Sequence, residues 1–413
     1  MHDVLIVGAG PAGLTAAIMA ARAGASVLVL EGGPKPGRKL LASGGGRCNL
    51  TNTLPAEEFM ERFGGQGRFM QPALRRLGSQ DLRAFLHDLG VETQAPDGFH
   101  VFPVGHRARS VLDALTAELD RRGVRLLTNC LVSDLLIEDQ RIQGVRTGTE
   151  TYTAGTVILA CGGTGHPALG SGDRALGLAE ACGHHRTEAH PGMVPLLTRE
   201  TWPARCTADT IPRAVLRFKR PGKQRIEGRG DLIFTRTGLA GPVIQDLSRE
   251  ITPFLDEGGE VIVEMRLTGR DQDAWSKLLA TARQEAPRQS VIAWLKARGK
   301  VPTSLGRVFC EQAEVDPDSL MERFGRKHQT RLAAVLALIR ITVIGHAGWD
   351  RAMVMRGGVA LADVHPETLA SRHVSGLHFA GEMLDLDGPC GGFNLQWSFA
   401  SGCLAGEIAG RRS

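Results

Sequence analysis

What this sequence lacks narrows its chemistry before any motif is read. Its eight cysteines, from Cys48 to Cys403, never fall in a C-x-x-C pair. That argues against zinc, iron–sulfur and dithiol redox sites, so no metal centre is expected. Scattered thiols also fit a reducing cytoplasm. Neither H-E-x-x-H nor G-x-S-x-G occurs, which leaves metalloprotease and serine-hydrolase chemistry without support. No apolar run approaches the roughly 18 residues of a membrane span. The opening MHDVLIVGAGPAGL does not have the charged, apolar, cleavage-site order of a signal peptide. A cytoplasmic protein without a membrane partner is therefore expected. Aromatic residues for stacking bases are sparse, with five Trp and one Tyr. A net charge of +5 and a pI near 8.9 are only mildly basic and decide little.

Glycine is what the chain has in excess, at 52 of 413 residues, nearly double the ordinary share of about 7%. These glycines cluster instead of repeating, which excludes collagen and suits backbone that approaches a ligand closely. The first cluster is Gly8-Ala-Gly10-Pro11-Ala12-Gly13. The apolar run DVLIV precedes it and reads as a buried parallel strand. LTAAIMAARAG follows as a helix ending at Gly24, and SVLVLE is a second strand closing on Glu31. In this order Gly8 permits the tight turn, Gly10 lets backbone reach a pyrophosphate, and Gly13 lets helix and strand pack closely. The helix N-terminus offers N–H groups to phosphate. Glu31 is placed for ribose hydroxyls and disfavours a 2′-phosphate, so FAD or NAD is expected over NADP.

The far end of the chain favours FAD. SGLHFAGEMLD, residues 375–385, reads as a short strand closed by Gly381 and Glu382. GPCGGFNLQWSFASG then forms a second glycine loop opening a helix, with Gly391, Gly392, Phe393, Asn394 and Leu395 at its start. Such a helix end would face the ribityl chain and the pyrimidine edge of a flavin. Between the two ends, SGGGRCNLTN (43–52) carries three consecutive glycines. Gly44, Gly45 and Gly46 expose backbone amides that can lie against an isoalloxazine ring, with Arg47 and Asn49 as polar neighbours. Lys39 is a further candidate for charge near the phosphates or the ring.

GRKLLASGGGRCNLTN and FAGEMLDLDGPCGGFNLQWSFASG resemble the three-domain bacterial flavoprotein family of aminoacetone oxidase, the BaiN reductase and the RdsA ribosomal-RNA dihydrouridine synthase. TVILACGGTGHPALGSGD (156–173), GDLIFTRTGLAGPVIQDLS (230–248) and AMVMRGGV (352–359) resemble the family's intervening segments. The family usually has Thr where Cys161 stands, and Thr and a small residue at Met355 and Arg356. The resemblance implies an α/β fold: a Rossmann-like FAD-binding domain built from both chain ends, residues 1–190 and 357–413. It implies an inserted β-rich, barrel-like domain at 191–268 and 339–356, and a small helical domain at 269–338. It also adds Val132, Cys161, Gly162 and Gly163 to the cofactor-lining positions.

The residues support that division. LRFKRPGK, EGRGDLIFT and EVIVEMRLTG read as strands between Gly and Pro turns. DAWSKLLATARQEA, SVIAWLKARGK, DPDSLMERFG and RLAAVLALIR read as helical; the resemblance also implies a helical excursion over 57–117 and a strand set over 124–160.

The expected activity is hydride transfer through flavin N5 to or from a C=C or C=X bond. Cys48 or Cys390 is a candidate for the accompanying proton; the alternative for Cys48 is a small packed residue beside the flavin. A Cys48–Cys390 dithiol has no local support. His100, His106, His166 and His190 lie near turns and are expected to be structural or solvent-exposed, with His166, after the 162–165 glycine turn, a candidate for a place close to the cofactor. No second G-x-G-x-x-G marks a nicotinamide domain, so either NADH or NADPH binds transiently over the flavin, or oxygen or another acceptor closes the cycle. The substrate is either a small molecule or ribosomal RNA. For RNA speaks RAVLRFKRPGKQRIEGR (213–229), with seven Lys/Arg against one Glu. A flavin-binding sensor without turnover is the non-enzymatic alternative.

Overall fold

The structure, a computed structural model, describes residues 2–148, 150–170, 173–219 and 225–411. It divides into two compact units, Met1–Pro191 with Met353–Ser413, and Gly192–Ala352.

In the first unit DVLIV lies within the strand His2–Val7, whose last four residues are buried. This strand pairs in parallel with Val27–Leu30 on one side and Thr151–Leu159 on the other. The sheet runs Arg125–Leu127, Val27–Leu30, His2–Val7, Thr151–Leu159, Arg141–Thr147, Val132–Glu138. Thr151–Leu159 serves several ladders at once. Its start is antiparallel to Arg141–Thr147, and its last three residues hold Leu377–Phe379 in parallel. The end of the chain thus joins the sheet next to the beginning, and the Rossmann-like domain is built from both ends, as expected.

The helices Pro11–Arg22 and Phe393–Gly410 tie those ends together. A Cβ on Gly402 would lie 2.2 Å from the Ala12 carbonyl oxygen, one on Gly406 2.3 Å from that of Ala16, and one on Gly410 2.7 Å from Ala20. Glycine at every fourth position meets alanine at every fourth position, so the two backbones approach more closely than larger side chains would allow.

The excursion expected to be helical does contain the helices Ala56–Glu61, Gln71–Arg76, Ser79–Asp88 and Ala108–Arg121. It also contributes His100–Pro103 and Thr93–Gln94 to a three-stranded sheet with Thr51–Asn52, which precedes it. Asp97 breaks the helical run there: its Oδ1 accepts the N–H groups of Phe99 (3.0 Å) and His100 (2.8 Å), an Asx turn.

The second unit is a closed barrel of Leu196–Thr198, Gly238–Ala240, Arg225–Phe234, Thr210–Lys219, Val261–Arg266 and Ile339–His346. The Pro-Gly turn expected at 220–224 lies outside the described residues. Phe218, Val263 and Ile341 of the barrel share one hydrophobic cluster with Trp275, Trp294, Phe309 and Phe324 of the helical segment. Two helical expectations need correction. DPDSLMERFG has only a single turn at Met321–Arg323, because Pro317 and the Asp316 Oδ1 bond to the Asp318 N–H (3.0 Å) make a turn instead. RLAAVLALIR is helical only to Ala337, and Ile339 already belongs to a barrel strand, paired with Met265.

Candidate functional site: a glycine-lined crease in the first unit

The first glycine turn separates three roles. At Gly8 (φ +104°) a Cβ would meet the Ala160 carbonyl oxygen at 2.5 Å, and at Gly13 it would meet the Gly8 oxygen at 1.9 Å. Both are closed by backbone. At Gly10, among the described residues, no atom lies within 4 Å of a Cβ. Pro11 opens the helix where a missing N–H costs nothing. Ala12 packs under Gly381, whose Cβ would sit 3.0 Å away. The result is a helix N-terminus with open space above it, the arrangement that receives phosphate.

Glu31 is fixed beside this turn. Its carboxylate accepts the N–H of Ala9 at 2.8 Å and of Gly33 at 2.7 Å. The Cys130 N–H donates to the Glu31 carbonyl (2.8 Å), which brings in the segment leading to Val132. Val132 itself is buried at the head of its strand. Cys161 donates its thiol to the Val7 carbonyl (3.3 Å), and burial pushes that thiol up to about 12.

Glu382 joins four segments. One oxygen accepts from Lys39 Nζ (2.8 Å) and from the Gly163 N–H (3.2 Å); the other accepts from the Met355 N–H (2.7 Å). Gly163 must be glycine, since a Cβ would lie 2.7 Å from that of Met355. The neighbouring Gly162, at φ +75°, would place a Cβ 3.7 Å from Glu382. Lys39, expected to be a charge beside a ligand, therefore spends its charge within the protein. The Met355 amide was not foreseen, because nothing local marks a backbone N–H that meets a carboxylate from another segment.

The second glycine run forms a left-handed turn. Gly44, Gly45 and Gly46 have φ of +56°, +67° and +86°, and Cys48 follows at +61°. The Cys48 N–H closes the turn on the Ser43 carbonyl (3.1 Å). Its side chain is completely buried, and desolvation pushes its thiol up to about 12. Arg47 donates to the Gly44 carbonyl (3.2 Å), and its guanidinium lies 5.5 Å over the Phe102 ring.

SGGGRCNLTN also meets the far end of the chain. With its amide nitrogen toward the carbonyls of Val101 and Thr51, Asn49 accepts from the Gly392 N–H at 3.2 Å. Asn52 donates to the Gly391 carbonyl (2.9 Å). A Cβ on Gly392 would lie 2.5 Å from the Thr51 backbone. Asn394 brackets Gly388 with bonds of 2.8 and 2.9 Å. Phe393 packs on Phe59, with ring centroids 4.8 Å apart, and Leu395 is half-buried. Asn394 is among the positions expected at this helix start, whereas Asn52 carries no local signal because its partner is a backbone carbonyl.

Cys390 is half-buried, and none of the eight cysteines forms a disulfide. His166 sits at φ +56° before the turn Pro167–Leu169, and His190 lies in the strand Arg186–Gly192. Among the described residues no His, Cys, Asp or Glu group could hold a metal, and no helix is long and apolar enough to cross a membrane.

Sheet order, glycine turn and terminal acid together define a Rossmann-type nucleotide-binding protein. The chain belongs to the family described as HI0933-like protein Rossmann domain, whose profile matches residues 2–408. It is 32% identical over 416 residues to the 3-dehydro-bile acid delta(4,6)-reductase of Clostridium scindens, covering 100% of both chains. It is 28% identical over 415 residues to the ribosomal RNA dihydrouridine synthase of Escherichia coli, covering 100% of this chain and 99% of that one. Among solved structures, an open flavocytochrome c3 fumarate reductase matches with a TM-score of 0.53 at 19% identity, over 99% of this chain and 78% of that one. The 3-ketosteroid-delta4-(5alpha)-dehydrogenase of Rhodococcus jostii RHA1 also matches at 0.53, with 17% identity, over 100% and 97%. These two likenesses are of fold.

Proposed function

We propose that the protein is an FAD-dependent reductase of small molecules whose C=C bond is conjugated to a carbonyl. The oxidoreductase class follows from its family and full-length relatives. The observation that carries the cofactor assignment is the contrast within the first glycine turn. Gly8 and Gly13 are closed by backbone, while Gly10 stands open over a helix N-terminus with Glu31 fixed alongside. Pyrophosphate fits at Gly10 and ribose hydroxyls at Glu31. The second open surface, at Gly45, suits a planar ring laid against bare backbone. Bound there, FAD supplies a two-electron hydride donor. The residues of the chain fix its position: the Glu382 hub holds the segments of Lys39, Gly163 and Met355 together, and Asn49 and Asn52 hold the second glycine loop against the first half of the chain. The buried Cys48 fits the packing role better than that of proton donor.

The substrate class rests on the two relatives. A 3-dehydro-bile acid with a delta-4 bond and uridine both present a C=C next to a carbonyl, and such a bond accepts hydride at the carbon remote from that carbonyl. A small molecule is favoured over RNA by the barrel's basic strands. Arg217 is paired with Glu227, and Arg225 and Arg340 share Glu264. Paired arginines have less charge to offer phosphate. NADH or NADPH is the proposed donor, arriving transiently, and the free thiols suit a cytoplasmic setting.

The test mixes dithionite-reduced holoprotein, without oxygen, with 4-androstene-3,17-dione, cyclohex-2-enone or a uridine-containing ribosomal RNA fragment. Flavin reoxidation by an enone, with loss of its C=C bond, is expected. Reoxidation by RNA alone, with dihydrouridine found by mass spectrometry, replaces the small-molecule reading. Reoxidation by none of them overturns the substrate class.

A further inference from the structure

We propose that His100, oriented by Asp97, is the proton donor of this site, completing reduction of the double bond; this role rests on the reductase reading above. The pair is built from the Asx turn already described. Asp97 Oδ1 is fixed by two backbone N–H groups, which aims Oδ2 at His100 Nδ1, 2.6 Å away. A carboxylate only accepts, so Nδ1 carries the hydrogen and Nε2 is the working atom. Asp97 is held well below the usual carboxylate range, chiefly by this hydrogen bond to His100.

Nε2 points toward the second glycine loop. It lies 3.6 Å from where a Cβ on Gly391 would be, with Phe99 at 3.5 Å and Phe393 at 3.4 Å from the same point. Two hydrogen-bonded connections hold it there. His100 pairs with Asn52 across the small sheet, and the Asn52 side chain donates to the Gly391 carbonyl at 2.9 Å. The imidazole is therefore attached to the glycine loop around Gly391, the loop expected from the sequence to lie against the ribityl chain and pyrimidine edge of the flavin.

The other candidate donors are poorer. Cys48 is completely buried. The only tyrosine of the chain, Tyr152, donates its hydroxyl to Glu150 and lies near the start of Thr151–Leu159, the strand whose other end reaches the crease. His100 is 37% exposed at its side chain, so water can return its proton after each cycle. Other titratable or charged groups of this region are Arg47 and His106, which both pack on Phe102, and Cys390 in the glycine loop. His106 is engaged with Gln94 at 3.3 Å.

A bound reduced flavin would supply the hydride for a C–H bond at the β-carbon, and the π pair would shift toward the carbonyl. The α-carbon then takes the Nε2 proton of the imidazolium. The substrate gains two electrons and two hydrogens, the flavin loses two electrons, and His100 is left neutral with Nδ1–H on Asp97. A nicotinamide nucleotide reduces the flavin again.

The test compares His100→Gln and Asp97→Asn with the parent protein, all flavin-loaded and reduced with dithionite. Each is reoxidised by cyclohex-2-enone, which needs a proton on carbon, and by ferricyanide, which does not. His100→Gln should slow the enone reaction about 100-fold or more and leave ferricyanide and flavin content unchanged. Asp97→Asn keeps an Asx turn but loses the Nδ1 acceptor. It should slow the enone reaction less, because the imidazole stays in place while its tautomer is no longer fixed. In the flavin-free protein, ¹⁵N shifts of His100 should report the Nδ1–H tautomer and lose that preference in Asp97→Asn. Enone reduction at the parental rate in His100→Gln overturns the assignment, as does an equal fall with both oxidants, which marks support of the cofactor. A parent protein that reduces no enone removes the reductase reading and this role with it, whereas the first two outcomes leave that reading standing.

Discussion

At Gly8 and Gly13 a Cβ would strike backbone at 2.5 and 1.9 Å, whereas at Gly44, Gly45 and Gly46 no described atom comes closer than 3.3 Å. The second run is glycine for another reason: all three residues turn with positive φ. One loop is closed by its neighbours, the other by its own dihedral angles. Steric closure against backbone cannot relax without moving a strand, while a strained dihedral angle costs only about 1–2 kcal/mol per residue. The two loops should therefore respond very differently to the same substitution.

Gly13→Ala should have the largest effect. Its Cβ would lie 1.9 Å from the Gly8 carbonyl oxygen, so the helix must leave the strand. A loss of at least about 3 kcal/mol is expected in urea unfolding of the flavin-free protein, or no soluble protein at all. An unfolding midpoint equal to the parent's would show that the turn is not closed. Gly10→Val, three residues away, separates folding from binding. Nothing described lies within 4 Å of its Cβ, so flavin-free stability should change by no more than about 0.5 kcal/mol. Flavin affinity should fall about 100-fold, near 2.7 kcal/mol, read by fluorescence titration. A variant that purifies yellow would move the pyrophosphate elsewhere.

These contrasts also explain what could be read in advance. Strand, glycine turn, helix and acid are local, and each follows from spacing within some thirty residues, so Gly8 to Glu31 was legible. The return of Leu377–Phe379 to the sheet was legible because a second strand closes on a glycine loop. The bond from Asn52 to Gly391 was not, since it joins residues 339 apart through a backbone carbonyl. The Glu382 hub was half legible: the acid stands out, but two of its three partners are main-chain N–H groups. Gly402, Gly406 and Gly410 repeat every fourth residue in plain sight, yet only the alanines at 12, 16 and 20 give that repeat a partner. His100 looked like any histidine near a turn until the Asx turn of Asp97 gave its ring a direction.

Within the second loop the effects become smaller. Gly45→Ala meets no described atom within 4 Å and has only φ +67° to overcome, so about 1 kcal/mol should be lost in the same unfolding experiment. A loss as large as that of Gly13→Ala would mean that the run is closed sterically after all.

Cys48 extends that run as a non-glycine residue at φ +61°, and it gives the finest test of the comparison. Cys48→Ala and Cys48→Gly both remove the buried thiol, so that loss cancels between them. What remains is the backbone: alanine keeps the strained conformation and glycine relieves it, at the expense of a more flexible unfolded chain. At an ordinary helical position alanine is the more stable by about 1 kcal/mol; here the order should shrink to nothing or reverse. Alanine ahead by the usual margin would mean that dihedral angles do not govern this loop. The thiol, pushed up to about 12 by burial, should also resist iodoacetamide at pH 8 in the folded protein, because the reactive thiolate forms only as the pH approaches that value. If both variants keep their flavin and reduce enones at the parental rate, Cys48 is a packing residue. If both keep their flavin and lose turnover equally, the thiol takes part in the chemistry and must become accessible when substrate binds.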